Sequence, residues 1–600
     1  MAKKVPKRSE IPMEKRWATE DLYPSDAEWE KDYEQISADL SQIEQYKGHL
    51  GESAQTLLAY LDLEDALSQR LERLGQYAHL NSDVDTTNTD YQAMNMKSRR
   101  LFSRFGEAVS FADPEIMDIP EQTLKKFRES DVHYHVYDRY FTVLERNRQH
   151  TRSKEAEEIL ASASEMAQAP SNIFGMFNNA DVTFQDIVDE NGEEAPVTHG
   201  RYIGYLENTD REVRKAAFES LYTGYKQYIN TISSAYSACI SQSRFFAKAR
   251  GYSSTRNMYT GRNGVPEEVY DNLIGAVHDG LSSMYRYVAL RKKMLGLDEL
   301  HMYDVYVPIV PECKVTIPYE EAKATILEAL KPLGETYLSV LREGFENRWV
   351  DACENEGKRS GAYSSGGMVH PYVLMTYQGT MDNMFTLAHE MGHSLHSYFS
   401  AKSQPHQTAD YVIFVAEVAS TCNEMLLTRY LLNTTTDPVM RAYVINHFLD
   451  SIKGTLYRQT MFAEFEMKAH KMAEEGQALT SKSLSDLYYG LNQLYFGPDM
   501  VSDDLIRYEW ARIPHFYSPF YVYQYATGIS AAVALSDRIL KEGEPAVEDY
   551  FRFLSAGGSK DPIDILKLAG VDMSTPEPVQ ATVRLFDEML TELEASCYNH

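Results

Sequence analysis

His389-Glu390-Met391-Gly392-His393 sets two imidazoles four residues apart with a carboxylate beside the first. On an α-helix that spacing places both rings on one face about one turn apart, so both reach a single ion. Zn²⁺ takes neutral ring nitrogens at about 2.0–2.1 Å and, where it is catalytic, keeps one position open for water. Glu390, one residue on from His389, is turned by roughly 100° around the helix axis. That makes it a poor ligand but a well-placed base for the proton of that water. A five-residue pattern with three fixed positions also arises by chance, so a metal site needs donors from outside it.

His396 shares the helix face of His389 and His393 but lies seven residues from the first, about 10.5 Å along the axis. Ligands of one ion must converge more closely, so His396 is expected as a structural or second-shell partner. The third ligand is expected from the next apolar run, Val412 to Leu427, where Glu417 stands among residues that pack a core. An unpaired buried carboxylate is costly, so Glu417 needs a cation or a metal. A salt bridge to Arg or Lys is the ordinary answer, and a two-histidine site close upstream favours the metal. Glu424, seven residues on and on the same face, suits an acceptor that orients a ligand imidazole.

A third stretch, Ile513 to Gly528, gathers His515, Tyr517, Tyr521, Tyr523 and Tyr525. Ser518 is expected to cap a helix with Pro519 at its first position. Tyr521 and Tyr525 then stand four apart on one face, ahead of Tyr517 and Tyr523 as hydroxyls that donate to a developing oxyanion. His515, just before that helix, offers a second donor or a hold on a peptide backbone. Any one of these tyrosines is as readily plain core, because the chain has 42 of them.

In three pieces, His-Glu-Met-Gly-His-Ser-Leu-His at 389–396, Phe-Val-Ala-Glu-Val-Ala-Ser-Thr at 414–421 and Ile513 to Gly528, the chain resembles the oligoendopeptidase F family of thimet oligopeptidase-like zinc metallopeptidases. The resemblance implies a mostly α fold: a two-lobed helical shell around a deep channel, with a small β-sheet beside the zinc-binding helix. It implies endopeptidase action on short unstructured oligopeptides, with one Zn²⁺ per chain on His389, His393 and Glu417 and a functional role for His515. The rivals are a zinc carboxypeptidase or dipeptidase-type exopeptidase, and a non-catalytic helical peptide-binding protein. Cleavage preference and oligomeric state are left open.

Composition fits a large folded body. Over 600 residues, 43% are hydrophobic, and 59 basic against 88 acidic residues give a net charge of −29, which argues against nucleic acid or an anionic membrane as partner. Five scattered cysteines (Cys239, Cys313, Cys353, Cys422, Cys597) form no CxxC, and Lys3, Lys4, Lys7 and Arg8 lead into Ser9-Glu10-Ile11-Pro12 rather than an apolar core. Free thiols in a cytoplasmic protein without a secretory signal are expected.

Helical spacing of apolar residues begins at Trp29, Tyr33, Ile36, Leu40 and Ile43, resumes at Leu63, Leu67, Leu71 and Leu74, and continues to about 178. Asn191-Gly192 predicts a small hairpin or a loop within 182–199. An N-terminal helical region over 1–200 is expected to precede a catalytic region over 201–600. Met302 to Val310 reads as a strand. Val369 to Tyr377 reads as an edge strand running into the motif helix, where an extended peptide would pair.

Overall fold

The steps of three and four along the first hundred residues fold as long helices. Asp26–Glu44 is capped by Ser25, whose hydroxyl accepts from the Glu28 amide, and Ala54–Val84 and Thr89–Val109 follow. Trp29, Leu67, Leu71 and Leu74 meet in one core, and the Trp29 indole donates to the Leu74 carbonyl at 2.8 Å. The computed structural model describes residues 4–310 and 315–597 and is mostly α, with small sheets of two or three strands. No helix among the described residues is long and apolar enough to cross a membrane. Cys239 and Cys422 are buried free thiols and Cys353 is a half-buried one; the thiols of Cys313 and Cys597 lie outside the described residues.

The chain packs into two compact units, each assembled from separated stretches. One comprises Met1–Gln149, Val315–Leu427 and Leu535–Gly570, and the other His150–Lys314, Thr428–Ala534 and Val571–His600. The packing therefore differs from the single division expected near residue 200.

The first unit holds a three-stranded sheet. Tyr372–Leu374 is its middle strand, parallel to Val350–Asp351 with Val350 opposite Val373, and antiparallel to Tyr363–Ser365 with Ser364 opposite Val373. The expected edge strand within 369–377 is thus a central one, because a two-residue strand too short to read from sequence covers its other side. Tyr363–Ser365 forms an edge instead. The N-terminal arm locks onto this sheet: Arg8 pairs with Asp351 at 2.6 Å, Arg348 donates to the carbonyls of Arg16 and Trp17, and the Tyr372 hydroxyl donates to the Ala18 carbonyl.

In the second unit the expected hairpin is present, Ile187–Val188 against Glu194–Ala195, with Gly192 at φ +81° in its turn. The strand expected over 302–310 is not. Only Leu300–His301 pairs, in parallel with Met500–Val501, and a 3₁₀ turn follows at Met302–Asp304. Guanidinium groups replace the ladder there: Arg211 and Arg214 bind the buried Asp304 carboxylate, and Arg291 donates to the carbonyls of Asp304 and Val307. Carbonyls satisfied in that way have no need of a neighbouring strand.

Candidate metal centre

The helix Met381–Ser403 opens at Thr380, whose hydroxyl accepts from the Asn383 amide at 3.1 Å. Its apolar face, including Met384, Leu387, Ala388, Met391 and Leu395, is buried and turns the two histidines to the opposite side. His389 Nε2 and His393 Nε2 stand 3.1 Å apart, and Glu417 Oε2, from the helix Ile413–Thr434, lies 3.4 Å from the first and 3.5 Å from the second. A tetrahedral ion with bonds of about 2.0–2.1 Å separates its donors by about 3.3–3.4 Å. Two imidazole nitrogens and one carboxylate oxygen at these spacings fit Zn²⁺ in chemistry and in size. Their side chains keep 25%, 19% and 34% of their surface exposed, so the trio is open on one side. Glu417 is therefore less enclosed than the apolar run around it suggested.

Hydrogen bonds outside the trio aim it. His389 donates from Nδ1 to Glu424 Oε1 at 2.5 Å, which leaves Nε2 free to face an ion. The Ser420 hydroxyl lies 3.4 Å from Glu417 Oε2 and 3.1 Å from the Glu417 main-chain carbonyl oxygen, able to donate to either. Glu390 is buried beside the histidines, outside the trio, and its Oε2 finds no hydrogen-bond partner among the described residues. Such an orphaned carboxylate oxygen is costly unless a water or substrate meets it.

His396 follows the structural alternative. It is fully buried, stacked on Tyr411 at 3.8 Å between centroids and packed on Phe553, with no partner for either nitrogen among the described residues. Burial, with the His393 charge, pushes its pKa down to about 3, so the ring stays neutral.

Charge within the trio is strongly coupled. Burial opposes a charged His389, but hydrogen bonds to Glu417 and Glu424 outweigh it and raise the ring to about 10. Burial pushes Glu417 up, and the same histidines more than reverse this, holding it well below the usual carboxylate range. Burial raises Glu390, against the pull of both histidines.

Two residues that the motif reading passed over set the distance between the helices. Asn423, fully buried, donates from Nδ2 to the Ala388 carbonyl at 3.1 Å and accepts from the Tyr337 hydroxyl at 2.9 Å. Gly392 lies against the other helix so closely that a Cβ there would stand 2.5 Å from Ser420 Cα and 2.9 Å from the Ala419 carbonyl oxygen. Backbone cannot yield as a flexible side chain does. Gly392→Ala is expected to spread the helices and weaken Zn²⁺ affinity by at least ~10-fold, measured by competition with a chromophoric chelator; unchanged affinity would show that the helix spacing does not set the site. The clue in sequence was a glycine inside a helix, a position that usually has a packing reason.

The second unit carries the remaining candidates in a cluster of its own. His515 lies on a 3₁₀ turn, Pro514–Tyr517, and Tyr525 in the first turn of the helix Tyr523–Glu542. His515 stacks on Tyr521 with centroids 5.9 Å apart, Tyr521 meets Tyr525 edge-on at 5.5 Å, and the Tyr525 hydroxyl lies 3.4 Å from His515 Nε2. All three rings are half-buried. Tyr523 is buried against Tyr270, and Tyr517 stacks on Phe174 with its hydroxyl enclosed, so these two serve as core. Burial and the Arg458 charge lower His515, keeping it neutral near pH 7.

The expected helix start at Ser518-Pro519 is not formed, and helix begins at Tyr523. Phe520 intervenes with φ +56°, a left-handed backbone that no helical turn accommodates.

A sequence profile described as Peptidase family M3 matches residues 204–585, and one described as Oligopeptidase F matches 115–184. The chain is 48% identical over 594 residues to oligopeptidase PepF of Bacillus subtilis (strain 168), spanning 99% of this chain and 89% of that one. It is 40% identical over 588 residues to group B oligopeptidase PepB of Streptococcus agalactiae serotype III (strain NEM316), spanning 98% of each. The crystal structure of oligoendopeptidase-F from Enterococcus faecium matches with a TM-score of 0.76 at 40% identity, over 96% of this chain and all of that one.

Proposed function

Since this chain belongs to peptidase family M3 and is an oligopeptidase of that family, we propose that it is a zinc-dependent endopeptidase acting on short, unstructured peptides in the cytosol. The observation that carries this reading is the convergence of His389 Nε2, His393 Nε2 and Glu417 Oε2 beside the unpartnered oxygen of Glu390. A divalent ion held by those three supplies Lewis-acid polarisation of the scissile carbonyl and a water acidic enough to react near neutrality.

The side chains divide the remaining work. Glu390 takes the water's proton at Oε2 and delivers it to the leaving amine, so no covalent enzyme intermediate forms. Glu424 holds His389 in the tautomer that offers Nε2. His515 and the hydroxyls of Tyr525 or Tyr521 serve as neutral donors to the oxyanion. The edge strand Tyr363–Ser365, rather than the central strand Tyr372–Leu374, offers its backbone to an extended peptide. Confinement, as implied by the family resemblance, limits substrates to short chains.

The decisive test is chelation followed by Zn²⁺ add-back, read with a quenched peptide blocked at both ends. Cleavage is expected to disappear with the metal and return with one Zn²⁺ per chain. Activity that survives metal removal would overturn the zinc assignment, and failure on blocked peptides alone would favour an exopeptidase.

Protonation gives a further expected result. The metal-free His389, raised to about 10, holds its proton at pH 7, whereas a ligand nitrogen must be neutral. Zn²⁺ binding at pH 7 should then release about one proton per ion, falling away as pH rises through the His389 value. Calorimetry in buffers of different ionisation enthalpy reads this directly. No release at pH 7 would mean that His389 is already neutral without metal.

A further inference from the structure

Glu466 lies on the helix Arg458–Glu474 of the second unit and is wholly buried, with no cation paired to it among the described residues. Its Oε1 accepts the backbone N–H of Phe520 at 2.8 Å, and its Oε2 has no partner among the described residues. Phe520 has a left-handed backbone, φ +56°, which side-chain-bearing residues rarely adopt and which persists only where the surroundings impose it. The surroundings are specific: the Phe520 ring packs on His470 at 4.8 Å, Tyr270 at 5.8 Å and Tyr259 at 6.0 Å, and Glu466 holds the amide.

Phe520 is also the joint of the segment that carries the ring cluster. Before it, the Ser518 amide closes the turn onto the His515 carbonyl at 2.8 Å; after it, the amides of Gln524 and Tyr525 bond to the carbonyls of Tyr521 and Val522. The direction the chain takes at Phe520 therefore decides where Tyr521 and Tyr525 stand relative to His515. We propose that Glu466 is a positioning residue: by holding the Phe520 amide in its left-handed turn, it sets the mutual placement of His515, Tyr521 and Tyr525. For catalysis this rests on the role given to those rings above.

Burial raises Glu466 to about 8, partly offset by the Phe520 amide, so near neutrality it is mostly the uncharged acid. Glutamine reproduces that group, with a carbonyl oxygen for the amide and no charge. Leucine keeps the bulk and removes the acceptor.

The test compares Glu466→Leu and Glu466→Gln in the zinc-loaded full chain, by hydrogen exchange over residues 515–525, kcat and KM on the blocked peptide, and metal content. Glu466→Leu is expected to exchange faster in that segment and to lose at least ~10-fold in kcat, with KM within ~3-fold and one Zn²⁺ retained. Glu466→Gln is expected to match the parent within ~3-fold in every readout, and Glu466→Leu placed on Tyr525→Phe should cost less than ~3-fold more. Unchanged exchange in Glu466→Leu, or a full additive loss on Tyr525→Phe, would overturn the proposal. If Glu466→Leu does not fold, a Phe520 amide that exchanges freely in the parent protein overturns it equally. Parent-level kcat in both Tyr525→Phe and Glu466→Leu would instead defeat the catalytic role of the ring cluster, and raised exchange would still report the hold on Phe520.

Discussion

Replacing Glu390 by glutamine is expected to lower kcat by ~10²–10⁴-fold, the usual contribution of general acid–base catalysis, while one Zn²⁺ per chain remains bound. The two side chains have the same shape, so the helix and its packing are untouched. What changes is that an amide accepts no proton. Glu390 is not one of the three converging donors, and its buried Oε2 has no protein partner among the described residues. Burial raises its pKa toward the range where a base both takes and returns a proton. Steady-state kinetics with metal analysis on the same preparation checks this. Near-normal turnover would remove Glu390 from the proton path, and loss of zinc would make it a ligand after all.

Glu417→Ala is expected to abolish both metal binding and activity. The two histidines alone leave a site of two nitrogens on one helix, whereas catalytic zinc uses three protein ligands. In the metal-free protein the same change removes one of the three carboxylates, Glu417, Glu424 and Glu390, that favour a proton on His389. Elemental analysis after dialysis should find ~0.1 Zn²⁺ per chain or less. Full occupancy would place the third ligand elsewhere and dissolve the assignment of the centre.

Much of the centre was legible because helical spacing converts residue number directly into geometry. His389 and His393 had to share a face, His396 had to fall too far along it, and Glu424 had to stand on the same face as Glu417. Less local features escaped. The middle position of Tyr372–Leu374 depends on Val350–Asp351, a strand of two residues with no periodicity to find. The helix expected at Ser518 was displaced because Phe520 answers to Glu466, 54 positions away. Met302 to Val310 has the composition of a strand, but Arg291 claims the Asp304 and Val307 carbonyls that a strand would need. The apolar run around Glu417 suggests full burial, yet a third of its side chain is exposed.

The N-terminal arm bears on how the molecule is made. Its contacts with the sheet join residues 332 and 354 positions apart, so on the ribosome this arm waits for partners synthesised more than 300 residues later. Until then Trp17, buried in the finished structure beside Tyr363 and Tyr372, lacks those two rings. Such long-range closure is slow and leaves sticky surface on the nascent polypeptide, which makes this arm a natural client for a holding chaperone.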